Sequence, residues 1–253
     1  MRTRCTSFVF CLFLITPFLS LAQAPGARDR ARGPYNVGLE NLRAEAWEQA
    51  AESFKAAIEV DPTFEMAHYM LGRTRMAQKK FAEAAVAYEK CRVLYQQQSG
   101  RQYANAQERQ RSRDTRLREI DEVIRSYQSS AQTMQVQDAI RQLQNQRRDI
   151  EEAMSRGNST MTLSLAIPAY VSTALGSAYF RMGNLASAEK EYKAAIEADA
   201  KSGEAYSNLA VVYMETGRLE DAEKSVKAAE GVGFRVHPQL KEEIKNRRKA
   251  GSY

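Results

Sequence analysis

Two consecutive stretches decide the fold: YVSTALGSAYFRMGNLASAEKEYKAAIEAD, from Tyr170 to Asp199, and EAYSNLAVVYMETGRLEDAEKSVKAAEGVG, from Glu204 to Gly233. Laid over each other at an offset of 34, they match Leu175 with Leu209, Tyr179 with Tyr213, Gly183 with Gly217, Leu185 with Leu219, Ala188 with Ala222 and Ala195 with Ala229. An earlier part of the chain keeps the same offset: Gly38 with Gly72, Trp47 with Phe81, Ala50 with Ala84, Phe54 with Tyr88 and Ala57 with Cys91. So many matches at one offset are a repeat, and repeats of this length stack into arrays in which each unit packs on its neighbours.

This pattern resembles the tetratricopeptide repeat, a 34-residue helix–turn–helix unit. The family places a small residue near position 8, where its two helices approach, and here that residue is Gly38, Gly72, Gly176 and Ala210. Alanine near position 20 is Ala50, Ala84, Ala188 and Ala222, and the large residue at position 24 is Phe54, Tyr88, Tyr192 and Val226. Glu45 and Lys79 replace the usual turn glycine in repeats 1 and 2, and the helix-ending proline occurs once, as Pro62. The resemblance implies an all-α helical solenoid of two repeat pairs, residues 34–98 and 168–236, with a capping helix and tail in 237–253. In that last segment Pro238 to Lys249 is amphipathic, with Leu240 and Ile244 on the inward side.

Residues 99–167 interrupt the array. Arg101 to Arg156 holds neither proline nor glycine, and apolar residues recur at spacings of three and four: Leu117, Ile120, Ile124 and Tyr127, then Val136, Ile140, Leu143, Ile150 and Met154. That spacing predicts two helices with a narrow apolar seam, turning at Ser129 to Thr133, in a coiled-coil hairpin whose arms are ~40 Å long. Between Ser99 and Thr160 there are 11 arginines and nine acids. Arg109, Arg113 and Arg116 share a face, but Glu108, Asp114, Glu119, Asp121 and Glu122 are interleaved with them, which reads as a solvated, salt-bridged surface. After the hairpin, Met161, Leu163, Leu165 and Ile167 alternate with polar residues, as an extended segment against a helix or an early start to the next one. Asn158-Ser159-Thr160 matches a glycosylation acceptor, a weak three-residue signal.

The amino terminus reads as a removable signal peptide, Met1 to Ala24: Arg2 and Arg4, an apolar run from Ser7 to Leu21, then Ala22-Gln23-Ala24. An uncleaved anchor is the alternative, though Pro17 and the shortness of the run disfavour it. Cleavage leaves 35 basic residues against 31 acids, too mild an excess for nucleic-acid binding. Cys91 alone of the cysteines remains, at a position where the other repeats carry alanine, so it reads as a small core residue. Gly26 to Gly33 reads as a basic, mobile linker within 25–33.

Two histidines, far apart, supply no metal site, and no phosphate loop or nucleophile elbow is present. The expectation is a protein without enzymatic activity, cofactor, metal or stable membrane span after cleavage, located in the periplasm or secreted. In the repeat family, positions 2, 5, 9 and 12 of each first helix line a ligand groove. Carried over, these are Tyr35, Leu39 and Leu42; Met66, Tyr69, Arg73 and Met76; Tyr170, Thr173, Ser177 and Phe180; Glu204, Ser207, Val211 and Met214. The resemblance thus implies an apolar groove rich in Met and Tyr, suited to a peptide or helix of a protein partner. Either the groove is open, or the hairpin or the 160–167 segment covers it. Two other roles are compatible with the residues: self-association through the 101–156 hairpin, or binding of an anionic lipid or polymer by its arginines.

Overall fold

The computed structural model describes residues 26–99, 106–128, 134–155 and 167–250. The segment expected to be a signal peptide, the expected 129–133 turn, the 158–160 triplet and residues 160–166 lie outside them. The described residues form eleven helices: α1 (Ala27–Arg43), α2 (Trp47–Val60), α3 (Glu65–Ala77), α4 (Phe81–Ser99), α5 (Ala106–Gln128), α6 (Met134–Ser155), α7 (Ala169–Arg181), α8 (Leu185–Ala198), α9 (Gly203–Glu215), α10 (Leu219–Gly231) and α11 (Pro238–Ala250). Repeats 1 to 4 are the pairs α1/α2, α3/α4, α7/α8 and α9/α10.

Each repeat turns at the same register position. Gly183 and Gly217 have φ of 78° and 74°, and Glu45 and Lys79 adopt the same left-handed backbone at 55° and 60° despite their side chains. The turn closes each first helix with a Schellman-type bond: Ala46 N donates to Asn41 O, Lys80 N to Arg75 O, Asn184 N to Tyr179 O and Arg218 N to Tyr213 O, all at 2.8–2.9 Å. The closed turn sets the two helices antiparallel, and the position-8 residue decides how near they come. A Cβ on Gly38 would lie 2.6 Å from Cε1 of Phe54, on Gly72 2.6 Å from Tyr88, and on Gly176 2.7 Å from Tyr192. In repeat 4 the small residue is Ala210 and the facing residue shrinks to Val226.

The insertion does not break the stack. α4 packs directly on α7, as α2 packs on α3 and α8 on α9, so the chain leaves the solenoid after repeat 2 and returns at the same seam. Tyr95 of α4 and Tyr170 of α7 bring their hydroxyls to 3.0 Å across that seam, and Arg92 Nη1 lies 2.5 Å from Glu191 Oε1. Cys91 is fully buried there, and burial pushes its thiol pKa well up, away from reactivity. At the far end, Ile244 of α11 is buried with Val226 and Val236 and covers the last repeat.

α5 and α6 pair as a hairpin and lie on the first helices of the repeats instead of projecting from them. Ile120, Val123, Ile124, Tyr127, Leu143 and Ile150 are buried in one core with Tyr35, Tyr69 and Tyr170. A set of buried charges seats the hairpin. Arg28 donates through Nε to Asp61 at 2.5 Å, through Nη1 to Glu119 at 2.8 Å and through Nη2 to Glu65 at 3.1 Å. Arg116 reaches Glu65 at 3.3 Å and Glu119 at 3.5 Å, and also donates to the Tyr95 hydroxyl. Burial would raise the Glu65 pKa, but Arg28 and Arg116 hold it below the ordinary carboxylate value. Burial and the nearby Glu65 charge push Glu119 up instead.

Two expectations are corrected here. Ala27–Gly33 is the beginning of α1, not a mobile linker: Ala27 and Ala31 continue the buried stripe of Tyr35 and Leu39, and Arg28 and Arg32 pair with hairpin acids. Arg116 and Glu119, assigned to a solvated hairpin face, are buried, because Glu65 and Arg28 from other helices add to the pairing they make with each other.

Two measurements test this packing. Gly38→Ala should cost about 1–3 kcal/mol by overpacking. Adding Phe54→Val should cost less than the sum of the two single changes, because it recreates the pairing of repeat 4; additive losses in a thermal-melt double-mutant cycle would refute the close-approach account. Arg28→Met leaves three buried carboxylates short of a cation and should cost about 3–5 kcal/mol. Faster amide exchange across α5 should accompany that loss, and an unchanged melting temperature would show that the network does not hold the hairpin.

Candidate protein-interaction site

Of the residues inferred to line the groove, Tyr69, Arg73, Met76, Tyr170, Thr173 and Phe180 border two neighbouring cavities beside α3 and α7, and the hairpin packs on this side of the repeats. Leu39, Tyr69, Tyr170 and Thr173 are buried. Tyr69 stacks edge-on against Tyr170 with centroids 4.9 Å apart, and its hydroxyl meets that of Tyr127 at 2.9 Å. On the other arm, Gln142 Nε2 donates to Ser202 Oγ at 3.0 Å and Arg141 to Lys201 O at 3.2 Å, so α6 is tied to the loop before α9. The hairpin therefore fills part of the groove from repeat 1 to repeat 3, and Tyr35, Tyr69 and Tyr170 are core. Tyr127 and Arg116 complete this face although they come from the insertion. Tyr127 stood in the sequence as a seam residue, and nothing local to it names Tyr69 as its partner.

A second part of the face stays open. Arg73, Met76, Phe180 and Val211 are half-buried. One cavity of about 360 Å³ is bounded by Tyr69, Arg73, Tyr88, Tyr127, Tyr170 and Thr173, with Glu204 also on its wall. An adjoining one of about 380 Å³ is bounded by Phe81, Phe180, Arg181, Tyr192 and Asn208, and the two share Met76 and Ser177. The hydroxyls of Thr173 and Ser177 donate backwards along their own helix, to Ala169 O and Thr173 O at 2.9 Å, and Ser177 Oγ also accepts from the Tyr192 hydroxyl at 3.2 Å. Met214 lies apart from these residues, buried in the cluster of repeat 4 and α11. The remaining groove residues thus form a strip along α3 and α7 with α9 at its edge.

His68 Nε2 sits 3.1 Å from the Pro62 carbonyl, and burial holds its pKa below the ordinary histidine value. Among the described residues no three His, Cys, Asp or Glu side chains form a metal-binding group, and no helix is long and apolar enough to cross a membrane.

Comparison with known proteins agrees with the repeat assignment. A tetratricopeptide-repeat family model matches residues 35–97 and 173–232, leaving the hairpin between the two matches. No curated protein sequence matches significantly. Among solved structures, the chain is similar to the type IV pilus biogenesis factor PilW, at 15% identity over 87% of this chain and 86% of that one, with a TM-score of 0.40. It is also similar to YrrB, a repeat protein with an unusual peptide-binding site, at 15% identity over 85% and 92% of the two chains and a TM-score of 0.30. A thermophilic repeat protein of Thermus thermophilus matches at 19% identity over 86% and 98%, with a TM-score of 0.33. Residues 35–97 and 173–232 of this chain are tetratricopeptide repeats, joined by a helical hairpin into one all-α solenoid.

Proposed function

We propose that this protein is an exported, non-enzymatic scaffold that binds a segment of a partner protein in the part of the groove its hairpin leaves open. One observation carries the reading: the adjoining cavities along α3 and α7 combine apolar walls, from Met76, Phe81 and Phe180, with polar groups that can orient a chain. Pockets with that mixture suit ligands whose apolar parts supply affinity and whose polar parts set register. Partner binding of this kind is the general use of such repeats, and the Met1–Ala24 segment supports export to the periplasm or beyond.

The hairpin serves this function as a partial lining. Its seam residues already bury themselves against the repeats, so pairing between two copies through that seam would first require undocking. Arg116 is engaged with Glu65 and Glu119, and Arg147 with Asp121 and Glu151, which disfavours an arginine surface for anionic lipid or polymer.

Phe180→Gln tests the reading because Phe180 is only half-buried and no described hairpin residue lines its cavity. The variant should keep its helical circular dichroism and lose capture of a specific partner from the native extracellular compartment by about tenfold or more. A variant that is folded and still retains every partner would remove the open groove as the binding site.

A further inference from the structure

Five arginines set into this fold share one arrangement. Arg28, Arg32, Arg75, Arg92 and Arg116 each have a carboxylate within 3.3 Å. Arg73 departs from it. Its guanidinium lies over the ring of Tyr127, 4.0 Å from the centroid, and Nη1 reaches Met70 Sδ at 3.7 Å, but no carboxylate of the described residues pairs with it. Tyr69, Tyr88, Tyr127 and Tyr170 share its cavity. A cation among aromatic rings is partly compensated by their faces, but its N–H groups have directional needs that rings and a thioether meet poorly.

We propose that Arg73 is an anion site for the acidic side chain of a bound segment, which pairs with the guanidinium while its flanking apolar residues lie toward Met76 and Phe180. The inference rests on the groove reading above and names the chemistry of its ligand. Charge complementarity selects a carboxylate, and guanidinium–carboxylate pairs are the stronger, directional class of hydrogen bond. Continuity of the two cavities through Met76 and Ser177 selects a side chain of a through-running segment over a chain end, because the depression continues beyond the arginine. Glu204 lies on the same cavity wall, so the acid is placed at the Arg73 end and like-charge repulsion disfavours a second acid near α9. Tyr127 and Val136, from the inserted hairpin, help to wall the cavity, so docking of the insertion completes the site.

The test uses an array of acetylated, amidated pentapeptides with Glu, Asp, Gln or Leu at the centre and Ala, Leu or Phe on either side. A matching set carries free C-terminal carboxylates. Each is probed with the full chain, with Arg73→Gln and Arg73→Lys, after melting curves establish that the variants fold. The wild type should favour central Glu or Asp over Gln by about tenfold. Arg73→Gln should abolish that preference, and Arg73→Lys should restore part of it. Equal binding of Glu and Gln peptides, an acid preference that survives in Arg73→Gln, or a preference confined to free C-termini would each overturn the proposal. If acid preference survives Arg73→Gln while Phe180→Gln abolishes binding, the groove reading stands and the Arg73 inference alone fails. Absence of binding by every peptide would count against both.

Discussion

A guanidinium taken out of water is costly unless an anion goes with it, and the seating of the hairpin follows from that cost. Removing either ion from water costs several kcal/mol, and a buried pair recovers the cost only when geometry and hydrogen bonding are good. Arg28 meets three carboxylates from three separate places: Asp61 at the end of α2, Glu65 at the start of α3 and Glu119 on α5. Arg116 returns from α5 to Glu65 and Glu119. The arrangement needs α1 to begin early enough to present Arg28, and α5 to lie in a register that brings both Arg116 and Glu119 inward. A hairpin held only by its apolar seam could slide along the groove by a helical turn at modest cost. The charges forbid that slide, since it would strand them in the core. Glu65 has a further role, because its carboxylate at the start of α3 also suits the positive end of that helix.

The solenoid tolerates such an insertion because its contacts are between neighbours. Repeat 3 needs the surface of repeat 2 and is indifferent to the length of chain joining them. α4 supplies that surface through Cys91 and Tyr95, and α7 receives it with Tyr170 and Val171. The hairpin then adds contacts to the same residues. Tyr95 illustrates the double use: its hydroxyl contacts Tyr170 across the repeat seam and accepts from Arg116 of the hairpin.

The repeats were legible because their packing is periodic in the sequence. The position-8 and position-24 residues vary together, from glycine with an aromatic ring to Ala210 with Val226, and this is the close helix approach written out as residue sizes. The turns were harder to read. Glu45 and Lys79 take a left-handed backbone that glycine adopts more easily, so the surrounding helix packing imposes the conformation. The hairpin's existence was visible from its seam, but its destination was not. Tyr127 meeting Tyr69, or Glu119 meeting Arg28, links positions 58 and 91 residues apart through tertiary contacts that no local pattern encodes. For the same reason Gly26 to Gly33 read as a basic linker: the acids that neutralise its arginines lie far away in the sequence.

Hairpin docking also fixes what an external ligand can do. The groove looked apolar in sequence partly because it has an internal occupant, so Tyr69 and Tyr170 advertise the hairpin as much as any partner. A partner that displaced the hairpin would have to replace its buried apolar contacts and also leave Glu65 and Glu119 with a satisfactory cation. Its apparent affinity would be reduced by the small population of undocked protein. A partner that accepts the hairpin in place meets neither cost. It finds Met76, Ser177 and Phe180 accessible and Arg73 already positioned against Tyr127. The energetics therefore favour addition beside the hairpin over exchange with it, and under the proposed function recognition falls where the repeats and the insertion meet.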